Sequence, residues 1–178
     1  MHSCAGPHRQ GRDLMPRIVH VITGLETGGA EWMLFKVLRA TERSEFPSAV
    51  IALRGGGTAV RSAIEDLGVP VRSLNFSAAV GLQRLRRAVR KFEPDLVLGW
   101  MPHGNLAALL GAAGTGTPVL WNVRMSLDAL DREKVATRAA IRLGALLSSA
   151  PRAILYNSHG KNAGSFNITG IIQQHKCL

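Results

Sequence analysis

Ile18-Val19-His20-Val21-Ile22-Thr23-Gly24-Leu25-Glu26-Thr27-Gly28-Gly29-Ala30-Glu31 is the stretch that decides the fold. Residues 17–23 are mostly apolar on both faces and rich in β-branched side chains, as in a strand buried within a parallel sheet. A glycine-rich turn follows and opens directly into residues 30–40. There Ala30, Met33, Leu34, Val37 and Leu38 recur at i, i+3, i+4, i+7 and i+8, which gives a one-sided helix. A strand that feeds a helix through glycines is the opening unit of an alternating α/β domain.

The same alternation continues outward. Residues 48–53, 69–74, 96–100, 118–123 and 153–157 are short runs rich in Val, Ile and Leu, of strand length. Between them, residues 58–67 read as a helix with Gly68 as its stop. Residues 79–92 place Leu82, Leu85, Val89 and Phe92 on one face and Arg84, Arg86, Arg87, Arg90 and Lys91 around the rest. Residues 106–113 form a further helix. Residues 128–149 complete the series, with Asp128, Asp131 and Glu133 near the start, where the helix dipole favours acids. About six strand–helix units predict an α/β fold, a doubly wound, mostly parallel, Rossmann-like sheet.

The chain has 178 residues, 46% hydrophobic and 19% charged, enough for one globular domain and too few for two. Residues 99–123 carry no formal charge, but Pro102, His103, Asn105, Pro118, Asn122 and glycines interrupt them, so they do not read as a membrane span. Residues 1–14 contain His2, His8, Arg9, Arg12 and Asp13 without an apolar core, so they do not read as a signal peptide, and a cytoplasmic location is expected. Cys4 and Cys177 lie at opposite ends, which fits neither a disulfide framework nor a metal cluster. Met15 precedes the first strand, so residues 1–14 are expected to be a non-structural extension and residues 15–160 the domain. From Lys161 onward arginine disappears, although it outnumbers lysine 17 to 3 before that point. Residues 161–178 are therefore expected to be an aberrant or disordered tail, left by a frameshift, fusion or premature stop near residue 160.

The net charge is +10, and residues 82–92 supply half of it without one acid. So local an excess indicates an anionic partner. On this helix Arg84, Arg87 and Lys91 are expected to meet an anionic membrane or acceptor surface, the alternative being an ordinary solvated face. With nine aromatic residues in all and no recognisable binding module, nucleic acid is not an expected partner.

In a doubly wound sheet the ligand lies beyond the carboxyl ends of the strands. Gly28 and Gly29 let a ligand approach the backbone, and the free amides of the following helix attract phosphate; the alternative is that they merely permit a tight turn. The turn lacks the Gly-Lys-Ser/Thr ending of a P-loop. It approaches the Thr-Gly-x-x-x-Gly-x-Gly turn of short-chain dehydrogenases, with Arg54 placed to meet a 2′-phosphate. The Tyr-x-x-x-Lys of that family is missing, since Tyr156 is followed by Lys161. After the fourth strand come Trp100, an apolar platform, and His103 and Asn105, suited to sugar hydroxyls or phosphate. After the fifth comes Arg124, able to hold a phosphate or carboxylate in a fork; after the sixth, Ser158 and His159. His20, inside the first strand, reads as a packed or hydrogen-bonded core histidine. No two histidines have metal-ligand spacing, so no metal site is expected.

Taken in order, residues 18–31, Pro94-Asp95, residues 100–106 (Trp-Met-Pro-His-Gly-Asn-Leu), residues 118–124 (Pro-Val-Leu-Trp-Asn-Val-Arg) and Tyr156-Asn157-Ser158 resemble the N-terminal half of family-4 glycosyltransferases of the GT-B type. The resemblance spans about residues 15–160. It implies a single N-terminal Rossmann-like domain of a GT-B fold and transfer of a sugar from a nucleotide-sugar, a co-substrate rather than a cofactor, to a polysaccharide or lipid-linked acceptor. By position it implies His103 as catalytic and Gly28, Gly29, Asn105, Arg124 and Ser158 as donor- or acceptor-binding; the basic helix, read from its charge, adds an expected peripheral contact at the inner membrane face. Two departures matter. Met125 stands where family members often carry a histidine, and it cannot donate to a sugar hydroxyl. The glycine-rich loop and Glu-x7-Glu motif of the C-terminal domain are not in this sequence, so the chain is expected to be inactive alone. A short-chain-dehydrogenase-like NADP-binding protein and a non-catalytic binding fragment are the alternatives.

Overall fold

A computed structural model describes residues 15–75, 80–123 and 134–156. Among these, β1 (Ile18–Ile22), α1 (Gly29–Ala40), β2 (Ser48–Ala52), α2 (Ala59–Asp66), β3 (Val71–Ser73), α3 (Gly81–Phe92), β4 (Leu96–Trp100), α4 (Met101–Ala112), β5 (Val119–Val123), α5 (Val135–Leu146) and β6 (Ala153–Tyr156) alternate without exception. The strands form one sheet in the order β3-β2-β1-β4-β5-β6, and every neighbouring pair is parallel. This is the doubly wound Rossmann-like arrangement that the alternation predicts.

Strand periodicity divides the core in two. Val19 and Val21 of β1, Ala49 and Ile51 of β2, Val97 of β4 and Val119 and Trp121 of β5 point to one face, where Leu85, Ala88 and Val89 of α3 and Ala107, Ala108 and Ala112 of α4 cover them. Ile22, Val50, Ala52 and Trp100 point to the other, beneath Leu34 and Leu38 of α1 and Val60 and Ile64 of α2. The central α4 lies very close to the sheet. A Cβ on Gly104 would come within 2.7 Å of the Val21 carbonyl oxygen, and one on Gly99 within 2.6 Å of the Asn105 Cα. Glycine at both positions permits that approach.

Helix ends follow local chemistry. Gly68, at φ +78°, closes α2 with its N–H on the Glu65 carbonyl at 2.8 Å. Glu93, in the left-handed region at φ 45°, ends α3 just before Pro94. The fourth helix begins at Met101 rather than near residue 106, because Pro102 in its first turn fixes a helical φ and lacks only an N–H that would have no helical partner there. His103 and Asn105 are therefore helical residues. The fifth helix occupies Val135–Leu146; the acids expected at its start lie outside the described residues, as do residues 1–14 and 161–178. No helix among the described residues is long and apolar enough to cross a membrane.

Candidate functional site at the carboxyl edge

β1 lies between β2 and β4, with Ile22 beside Ala52 and Trp100. The chain leaves β1 toward β2 and leaves β4 toward β5, so the connections part between β1 and β4 and open a crevice at their carboxyl ends. The turns after β1, β2 and β4 form its edge.

The first turn is held from beneath. Arg54 N–H donates to the Thr23 carbonyl at 2.9 Å, and a Cβ on Gly57, at φ +70°, would run into the Leu25 carbonyl, so the loops after β1 and β2 rest on each other. Gly28 is the N-cap of α1 in extended conformation, without a side-chain cap. Its carbonyl accepts from Trp32 N–H at 3.1 Å. The Glu31 carboxylate lies against Gly28, so the positive end of the helix already faces an anion. Beside Gly29 there is open space. An incoming phosphate therefore has room at Gly29 and competes with Glu31 at Gly28.

The turn after β4 is strained. Met101 has φ +67°, a conformation that costs a non-glycine residue on the order of 1–3 kcal/mol and is retained where the surroundings impose it. Just before it, the Trp100 Nε1–H donates to Nδ1 of His20 at 3.1 Å, across β4 and β1. This bond requires neutral His20, and burial pushes its pKa down to about 4. His20 is thus the hydrogen-bonded core histidine expected. Trp100, 1% exposed, is a core residue and offers no open platform, because its side chain shares the inward face with Ile22.

His103 follows in the first turn of α4, half-buried. Burial first, and then the positive charge of Arg54, hold its pKa below the usual histidine value, so the neutral imidazole persists at neutral pH. Asn105 lies below the edge, 4% exposed. Its Nδ2 donates to the Asn122 carbonyl at 3.4 Å, while Oδ1 has no partner among the described residues. Asn105 thereby ties α4 to β5.

The sheet thus brings Gly28, Gly29 and His103 to one edge. Arg124 and Ser158 lie outside the described residues. Arg84, Arg87 and Lys91 are exposed on α3. Arg54 reaches the same edge beside His103, a role that spacing alone could not assign because β2 and β4 are separated in the sheet by β1. Far from this crevice, a cavity of about 320 Å³ opens at the amino edge, lined by Arg17, Pro47, Val69 and Phe92 among others. Arg17 there is already engaged by Glu93 at 3.4 Å and Asp95 at 4.0 Å.

Residues 28–162 match the model of the glycosyl transferase 4-like domain. The UDP-N-acetylglucosamine--N-acetylmuramyl-(pentapeptide) pyrophosphoryl-undecaprenol N-acetylglucosamine transferase of Nitratidesulfovibrio vulgaris strain Hildenborough is 26% identical over 148 residues, covering 71% of this chain and 40% of that protein. Its counterpart in the Miyazaki F strain is 31% identical over 112 residues, covering 53% and 29%. Among solved structures, Anabaena HepE in complex with UDP and glucose superposes with a TM-score of 0.63 at 15% identity, over 80% of this chain and 38% of that one. MurG of Acinetobacter baumannii gives 0.57 at 15% identity, over 84% and 43%. The chain spans about 40% of the length of the first of these curated relatives. The structural likenesses show the fold.

Proposed function

The chain belongs to the glycosyl transferase 4-like domain family, and on that premise we propose that it forms the N-terminal, acceptor-side half of a GT-B enzyme that moves a sugar from a nucleotide-sugar to a lipid-linked or polysaccharide acceptor. The observation that carries this reading is the crevice where the β1 and β4 connections part, with the Gly28-Gly29 turn on one side and neutral His103 on the other. A neutral imidazole can accept the proton of an attacking hydroxyl, and Arg54 beside it favours an anionic group on the same substrate. The relatives named above carry a UDP-sugar donor and a pyrophosphoryl-undecaprenol acceptor in their name, and these are the first pair to try here. Gly29 offers room at the helix start for a phosphate, and Arg124 and Ser158 complete the binding set. The exposed cations Arg84, Arg87 and Lys91 suit peripheral contact with an anionic membrane on its cytoplasmic side. Neither the family match nor the named relatives favour a nicotinamide-dependent reductase.

The 178-residue chain by itself binds acceptor and does not turn over. Titration with a polyprenyl-diphosphate-linked sugar is expected to give saturable binding that His103→Ala weakens about tenfold, the loss of one well-placed hydrogen bond. Binding unaffected by His103→Ala would remove His103 from the site. Release of UDP from UDP-N-acetylglucosamine by the purified chain would overturn its inactivity alone.

A further inference from the structure

The chain has three tryptophans, Trp32, Trp100 and Trp121. Trp100 and Trp121 are core residues, 1% and 3% exposed, whereas Trp32 is 37% exposed. A single exposed apolar side chain is ordinary on a protein surface; what sets Trp32 apart is its place. Ala30, Leu34 and Leu38 turn α1 toward the sheet, and Trp32, two residues from both Ala30 and Leu34, lies on the opposite side of the helix. It stands in the first turn of α1, directly after the Gly28-Gly29 turn. Helical side chains lean toward the N-terminus, which for α1 is the carboxyl edge of the sheet.

The indole is held rather than loose. Phe35 meets it edge to face, with ring centroids 5.6 Å apart and planes at 86°. The Arg39 guanidinium lies over the Phe35 ring, 5.5 Å from its centroid, and Phe35 itself packs against the core beneath α1. The outer ring is thus anchored through an inner one. Its Nε1–H makes no hydrogen bond among the described residues, whereas that of Trp100 donates to His20. Gly29, three residues before Trp32, is its neighbour on the helix surface, with open space beside it. A ligand that enters the crevice at this turn therefore has room at Gly29 and a fixed indole next to it.

A rigid apolar face with a free N–H at its edge suits a pyranose ring: the C–H face of the sugar covers the indole, and the N–H reaches a hydroxyl. A protein partner would need far more. Lys36 and Arg39 are exposed on the same side of α1, so the apolar area is that of one ring, against the roughly 800 Å² that a stable partner covers per side. We propose that Trp32 is a sugar platform, stacking on a pyranose of the acceptor beside the Gly28-Gly29 turn, with its Nε1–H donating to a ring hydroxyl. This role rests on the acceptor-side reading above and gives that site a group for the sugar, apart from the diphosphate. The platform expected at Trp100 is thereby moved to a tryptophan that the fold leaves open.

Because Trp100 and Trp121 are buried, acrylamide quenching of tryptophan emission reads Trp32 in the unmodified 178-residue chain. Farnesyl-diphosphate-linked N-acetylglucosamine is expected to abolish most of that quenching, and farnesyl diphosphate without the sugar to leave it unchanged. Trp32→Ala is expected to weaken binding of the sugar-linked probe ~10-fold, and Trp32→Phe only ~3-fold, since a smaller ring keeps part of the face and loses the N–H. Neither variant is expected to change binding of farnesyl diphosphate. Circular dichroism checks folding of the variants, and the wild-type quenching decides whether or not they fold. Binding of the sugar-linked probe without shielding of Trp32, equal shielding by farnesyl diphosphate, or full-strength binding by Trp32→Ala would each overturn the platform and leave the acceptor-side reading standing. Failure of the wild type to bind either probe would overturn both. Shielding that grows with protein concentration and needs no sugar would make Trp32 a contact between copies of this chain and overturn the platform as well.

Discussion

The inner sides of the two helical layers are alike and their outer sides are not. Leu34 and Ile64 on one side and Leu85 and Val89 on the other are fully buried, since a sheet apolar on both faces needs an apolar cover on each. Beyond the core, α1 and α2 balance their charges while α3, α4 and α5 carry only cations. Folding dictates what faces the sheet and leaves the outer surface nearly unconstrained. A one-sided excess there therefore points to a partner, at the cost of like-charge repulsion within the layer.

If the inner sides are equivalent, Leu34→Ala and Leu85→Ala should each cost about 2–5 kcal/mol in urea unfolding. A near-neutral result for either would show that its layer is not packed as described. The next effect separates the layers by pH. His20 shares the face covered by α1 and α2, and its folded pKa, about 4, lies below the ordinary 6.5. The unfolded chain thus binds a proton that the folded one refuses. Stability from this group is complete above pH 6.5 and is lost as the pH falls toward 4, by on the order of 3 kcal/mol. His20→Gln, which keeps an acceptor for Trp100 and does not titrate, should flatten the unfolding free energy over that window relative to wild type; an unchanged slope would remove His20 as its cause. The smallest effect concerns the surfaces. Arg61 pairs with Glu65 at 3.0 Å and donates to Ser73 Oγ at 2.9 Å, so Arg61→Ala should cost roughly 0.5 kcal/mol. Arg87→Ala should cost nothing measurable by thermal melting, because the described residues of α3, α4 and α5 themselves include no carboxylate for it to pair with. A larger loss at Arg87 would show that the cations serve the fold.

Much of the fold is legible in the sequence. The six strands and five helices are visible as apolar runs and 3.6-residue periodicity, and Gly68 stops α2 as its place after the periodic stretch predicts. The start of α4 is less legible, because Pro102 and Gly104 read as loop residues until the helix is seen to begin at Met101 and Gly104 to lie against β1. Trp100 looks like a platform in sequence, yet its strand position turns it inward onto His20. Of the candidate site, Gly28 and Gly29 announce themselves by their place after the first strand. The influence of Arg54 on His103 could not be read there, since 49 positions of chain separate them.

The sequence by itself determined which segments are strands and helices, because burial periodicity is a local property of side-chain spacing. It also determined that one helix is strongly basic. Only the tertiary structure decided which helices share a face. Parallel crossovers are right-handed, so helices laid down while the chain moves from β1 to β3 fall on one side. Those laid down as it crosses back from β3 to β4 and moves on to β6 fall on the other. That reversal opens the crevice between β1 and β4, and it gathers the cations of α3 and α5 into one layer.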